Sequence, residues 1–182
     1  MKKIELKRKN NFIRFGTETF ADFNPQRFIT STVEASEKYL SSQYFIEMAL
    51  PLHVGSYALI GYVFEPKNSN ELIVEVNVSS NKKIFTDTLS FDKDSTYVGI
   101  NQEYAELILR NIIDYLKLKK VPKGKLRICM GAYSEICSSP WIFNSVSNII
   151  MDIFTYNKIL TTAEISEICE KYLQKRYEKY SN

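Results

Sequence analysis

Apolar and polar positions alternate from Lys3 to Phe20: Ile4 and Leu6 form one run, and Phe12 and Arg14 oppose Ile13 and Phe15 in the next. A period of two suits strands, and Asn10-Asn11 between the runs predicts a hairpin. Asp22 to Pro25 breaks the pattern. Ser31-Thr32-Val33-Glu34 then has the form of a capping box, in which a hydroxyl meets a free helix amide and the glutamate reaches back. It predicts a short helix to about Ser42, with Glu34, Glu37 and Lys38 facing solvent. Four runs rich in β-branched and aromatic residues follow: Tyr44 to Leu50, Ser56 to Phe64, Glu71 to Ser79 and Lys83 to Phe91. Polar turn clusters part them, and an antiparallel meander is the simplest arrangement.

Beyond Asn101 the period lengthens. Tyr104, Leu107, Ile108, Ile112 and Leu116 recur at helical spacing, so Asn101 caps a helix running to about Lys119. Lys125 to Met130 reads as a strand. Ser139-Pro140 opens a second helix, with proline in the first turn where its missing amide costs nothing, and the apolar face continues to about Phe154. Thr161 with Glu164 starts a third, whose Ile165, Ile168, Cys169, Tyr172, Leu173 and Tyr177 share one side. The expected fold is α+β, an antiparallel or mixed sheet with helices packed on one face. Residues 1–50 supply a hairpin, a helix and a strand, 51–156 the core, and 157–182 the C-terminal helix, in one compact unit.

Composition narrows the function. The chain has 182 residues, enough to bury roughly 70% of its unfolded surface without metal or disulfide staples. Cys129, Cys137 and Cys169 are odd in number and far apart, so neither zinc nor a disulfide framework is expected, and a reducing cytoplasmic compartment fits. The N-terminus lacks the apolar segment of a secretory signal, and no run reaches the ~18 apolar residues of a membrane span. A net charge of +3 permits contact with nucleic acid without announcing it. No phosphate-cradling Gly-x-x-x-x-Gly-Lys motif occurs, which argues against a GTPase or other nucleotide cofactor.

Two segments, in order, carry a resemblance. The first is Gly55-Ser56-Tyr57-Ala58-Leu59-Ile60 leading to Phe64-Glu65-Pro66. The second runs from Gly99 to Tyr104, through a helix, to Leu126-Arg127-Ile128-Cys129-Met130-Gly131-Ala132-Tyr133-Ser134-Glu135-Ile136-Cys137-Ser138-Ser139 and Phe143. Together they resemble domain IV of elongation factor G and of the ribosome-protecting tetracycline-resistance factors, over residues 50 to 155. The resemblance implies a ribosomal-protein-type βαβ unit with a left-handed crossover, and two loops at one tip that reach RNA. The family's histidine and aspartate fall on Ser134 and Cys137, which puts a translocation role for this tip in doubt.

Three sets of candidate residues follow. His53, Ser56 and Tyr57, with Tyr133, Ser134 and Glu135, are the tip positions implied by the resemblance. Lys119, Lys120 and Lys123 lie in the densest basic cluster, with Lys117, Lys125 and Arg127, where cations suit either a helix C-terminus or phosphate. Tyr172, Leu173 and Tyr177 mark a stripe that packs on the domain or docks a protein partner or second copy. His53 is the only histidine and has no nucleophile motif beside it, so no catalytic residue is assigned. The first expectation is a non-catalytic protein that binds the ribosome or structured RNA. The alternative is a protein-interaction or structural module that uses the same fold without RNA.

Overall fold

In the computed structural model, residues 1–7, 10–50, 56–79 and 81–180 are described, with side chains of the last helix through Gln174. Eight strands form one mixed sheet. They are β1 (Lys2–Glu5), β2 (Phe12–Gly16), β3 (Arg27–Glu34), β4 (Ser42–Ala49), β5 (Tyr57–Pro66), β6 (Glu71–Val78), β7 (Thr96–Val98) and β8 (Gly124–Ser134). Three helices, α1 (Gln102–Leu116), α2 (Pro140–Tyr156) and α3 (Thr162–Tyr180), complete the fold. None is long and apolar enough to cross a membrane.

The strand order is β1-β2-β4-β5-β8-β6-β3, with β7 against the far end of β8. The expected hairpin is present: β1 and β2 pair antiparallel, Ile4 opposite Ile13. The meander is not. β8 inserts between β5 and β6, antiparallel to the first and parallel to the second, and α1 bridges the parallel pair as a βαβ unit. β8 can occupy the middle because Leu126, Ile128, Met130 and Ala132 are all fully buried, as a central strand covered on both faces requires.

Two expected elements differ. Ser31 to Glu34 is not a helix start but the end of β3, which pairs with β6 from Arg27↔Val78 to Glu34↔Glu71. Ile29, Thr30, Thr32 and Val33 are β-branched and lose side-chain freedom in a helix, whereas alternation lets Ile29 and Val33 reach the core. Residues 83–91 are not a strand either. Only Ile84 makes a bridge, to Tyr97 in β7. Asp87, Thr88 and the Leu89 amide instead bond to Arg14 and Glu47 over the sheet.

All three helices lie on one face, where the main core sits. There β6 contributes Leu72, Val74 and Val76, and α2 contributes Ile142, Val146, Ile149, Ile150 and Ile153. Phe154 meets Phe64 edge-on at 5.2 Å and Tyr62 at 5.3 Å, and each such ring contributes roughly 1.5–3 kcal/mol by burial. Two of the predicted caps form their side-chain bonds: Asn101 Oδ1 accepts from Tyr104 N at 2.9 Å, and Thr161 and Glu164 exchange hydrogen bonds, while Ser139 takes the N-cap position of α2 but its side chain makes no capping bond there. A smaller core of Phe45, Tyr57, Leu59, Phe85 and Met130 lies on the other face, under Phe20, Ala21, Phe23 and Leu89.

A candidate nucleic-acid interface

The structure divides the basic cluster by sheet geometry. Lys125 and Arg127 alternate with Leu126 and Ile128, so their side chains turn to the face away from the helices. Both pair with Glu75 there, Lys125 Nζ at 2.5 Å and Arg127 Nε at 2.8 Å. Lys117 pairs with Asp114 on its own helix at 2.9 Å. Lys123 is half-buried and donates to Asn70 Oδ1 at 3.0 Å. Among the described residues no ion pair engages Lys119 or Lys120, and both are exposed.

These two lysines stand at the rim of a groove of about 1100 Å³ formed by the ends of α1 and α2 and the side of α3. The turn that carries them is fixed on both sides. Ser36 N and Glu37 N donate to Val121 O at 3.0 Å, Lys123 N donates to Glu37 O at 2.9 Å, and Lys67 N to Lys123 O at 3.3 Å. Pro122 and Lys38 share this end of the molecule through the Glu37↔Pro122 bridge. A rigid turn whose two ammonium groups are in no ion pair among the described residues loses little backbone freedom when it meets a phosphate.

Rings and a carboxylate line the groove floor. Tyr115 OH donates to Asp152 Oδ1 at 2.5 Å and Tyr172 OH to Asp152 Oδ2 at 2.9 Å, so one carboxylate anchors α1 and α3 to α2. Burial pushes both phenols up, and the hydrogen bond to Asp152 pushes them further, so neither is a proton donor to solvent near neutral pH. Tyr39 OH donates to Thr155 O at 3.3 Å, and Lys119 Nζ rests 5.4 Å above the Tyr115 ring.

Four carboxylates border the groove, but three are already engaged. Asp152 holds the two phenols, Glu170 accepts from Lys7 N at 2.7 Å, and Glu164 accepts from Lys158 and Thr161. Facing them are Lys7, Lys119, Lys120 and Lys171, the last 3.9 Å from Asp152. The groove thus carries as many lysines as carboxylates, and an incoming anion meets Lys119 and Lys120 at its rim.

The tip positions behave differently. His53 lies outside the described residues. The two tip segments do come together: Tyr57 N donates to Cys137 O at 2.7 Å, and Ser138 Oγ to Tyr57 O at 2.6 Å. But Ser56, Tyr57, Tyr133 and Ser134 are all buried. Tyr57 OH donates to the buried Glu47, and Tyr133 packs between Tyr97 and Tyr104. Ser134 Oγ accepts from Cys137 N at 3.0 Å, closing its own turn. Of the described members of this set Glu135 reaches solvent, and it pairs with Lys82 at 2.6 Å. These side chains hold the tip together and do not present a stacking surface.

The C-terminal stripe also turns inward. Leu173 is buried with Ile165 and Cys169 in the main core, and Tyr172 is committed to Asp152; the Tyr177 side chain lies outside the described residues. Sequence reasoning missed Tyr39, Tyr115 and Asp152. The one signal for Asp152 was its place as the lone charged residue of α2, between Met151 and Ile153. No protein-family model matches the chain, and neither a curated protein nor a solved structure does.

Proposed function

We propose that this protein binds RNA, with ribosomal RNA the form it meets, and performs no chemistry on it. The observation that carries the reading is the pair Lys119 and Lys120, exposed on a fixed turn beside the groove and in no ion pair among the described residues. Ammonium groups on a rigid turn suit phosphate, and the Tyr39 and Tyr115 rings below offer faces for an unstacked base. The resemblance to elongation factor G domain IV favours a ribosomal target, with the Lys119–Lys120 rim of the groove rather than the tip side chains making the contact.

A non-catalytic role is supported by how the reactive groups are placed. Burial raises the Cys129 thiol to about 11 and pushes Cys169 higher still, so neither offers a thiolate at neutral pH. Glu47 is closed inside a complete hydrogen-bond network. The three cysteines are unpaired, in keeping with a cytoplasmic site of action.

The test is fluorescence anisotropy with a labelled single-stranded RNA, alongside co-sedimentation with ribosomes over a salt series. Saturable, salt-graded binding that Lys119→Glu/Lys120→Glu weakens by roughly tenfold or more is expected. Absence of binding to both at low salt overturns the reading.

A further inference from the structure

The sheet has two outer edges, β1 and β3, and they are built differently. β1 is four residues long and carries Lys2, Lys3 and Glu5, the short charged form that discourages pairing. β3 is twice as long, pairs with β6 without a break in register, and has charges only at its ends, Arg27 and Glu34. It contains no proline and no lysine.

Half of the β3 backbone is free to bond outward. Ala35 N donates to Asn70 O at 2.9 Å, so the odd-numbered residues hold the ladder to β6. Hydrogen bonding alternates along an antiparallel strand, so the amides and carbonyls of Phe28, Thr30, Thr32 and Glu34 point away from the sheet. Under this edge, Ile29 and Val33 are half-buried on the helix side. Helix α1 turns one flank to α2, where Tyr104 stacks on Phe143 and Tyr115 bonds Asp152. Leu109 and Ile113 fall on its other flank, beside β3, and remain half-exposed.

We propose that this edge pairs with β3 of a second copy of the chain, antiparallel about a two-fold axis through Ser31, joining two sheets into one. The strand ends tolerate this partner. In this register Arg27 stands opposite the second copy's Ala35 and Glu34 opposite its Phe28, so no like charges face one another across the edge. A two-fold perpendicular to the sheet keeps each face on its own side. Centred on Ser31, it sets Ile29 opposite the second copy's Val33 and Thr30 opposite its Thr32, apolar against apolar and hydroxyl against hydroxyl. The same operation lays the two α1 helices side by side and covers Leu109 and Ile113. The proposal stands independently of RNA binding.

Analytical ultracentrifugation of the full chain across a concentration series tests it. Wild type is expected to dimerise reversibly. Thr30→Lys/Thr32→Lys, at two exposed positions, gathers four lysines across the edge and is expected to weaken the dimer by about 100-fold, with an unchanged far-UV circular dichroism spectrum as the check on folding. Ile113→Lys is a second probe from the helix layer and is expected to weaken it too. A wild type that stays monomeric throughout overturns the proposal. So does a dimer that both variants leave intact.

Discussion

Arg14 and Glu47 lie side by side on β2 and β4, Nε donating to Oε2 at 2.7 Å, and Glu47 is wholly closed off from water. The carboxylate's other oxygen accepts from Tyr57 OH at 2.8 Å, Thr88 Oγ1 at 3.1 Å and Leu89 N at 2.8 Å. Arg14 in turn reaches Asp87 at 2.9 Å and lies 4.3 Å over the Phe20 ring. A buried pair costs desolvation, so its presence is weak evidence of net stabilisation, but removing one partner strands the other. Glu47→Ala or Arg14→Ala is therefore expected to cost about 3–5 kcal/mol in urea unfolding. Replacing both by leucine should cost less than either alone. In Glu47→Ala the Leu89 amide should also exchange faster with solvent, because the carboxylate it donates to is gone. A single change costing under about 1 kcal/mol would show that the network does not hold residues 85–91 in place.

Glu164 supplies a pH dependence of definite sign. The hydrogen bond from Lys158 first, then those from Thr161, hold its carboxyl down to about 2. Because the folded value is depressed, the stability this group contributes is complete above the ordinary carboxylate range and is lost as pH falls toward 2. A carboxyl-carbon NMR titration is expected to show a midpoint near 2, and Lys158→Ala should move it upward. An ordinary midpoint in the wild type would mean that the cap does not persist in solution.

Gly61 of β5 leaves no room for a side chain between its neighbours on β4 and β8. A Cβ there would sit 2.7 Å from Phe45 Cβ and 2.9 Å from Met130 Cβ, both short of any real contact. Gly61→Ala is expected to destabilise by about 1–3 kcal/mol through overpacking, read from the shift in the urea midpoint. A near-neutral result would show that β4 and β8 separate more easily than their buried side chains suggest.

For RNA, the salt dependence says more than the affinity. If Lys119 and Lys120 each neutralise one phosphate of a single strand, neutralising both should lower the slope of log K against log salt by about 1.4. Lys83→Gln/Lys93→Gln, on the opposite face of the sheet, changes the net charge equally and is expected to leave the slope unchanged. Equal losses in both double variants would assign the binding to overall charge.

Much of the fold was legible in the chain because it is locally encoded. Asn101 and the Thr161–Glu164 box have their capping bonds within three residues, and the Ile4-to-Phe15 alternation carries its own hairpin. The Ser31–Glu34 segment misleads for the converse reason. A hydroxyl and a glutamate three apart occur in strands as well, and what decides this one is β6, some forty positions on. The insertion of β8 beside β5 is likewise a contact between residues about seventy apart, for which alternation gives no address. The site divides in the same way. The lysines of the turn stand out in the sequence, but which of them already have partners depends on Glu75, Asp114 and Asn70, and the groove depends on Asp152 gathering tyrosines from two other helices.

The position of β8 has a consequence for how this protein is made. Of the eight strands it is the last to leave the ribosome, yet β5, β6 and β7 all bond to it. Until residue 134 has emerged, β5 and β6 each carry a row of unpaired amides and carbonyls with no neighbour to receive them. The nascent chain thus holds two half-finished sheets for the time it takes to add some fifty residues after β6. That interval, rather than any property of the finished protein, is when it is most exposed to pairing with the wrong strand and has most use for a chaperone.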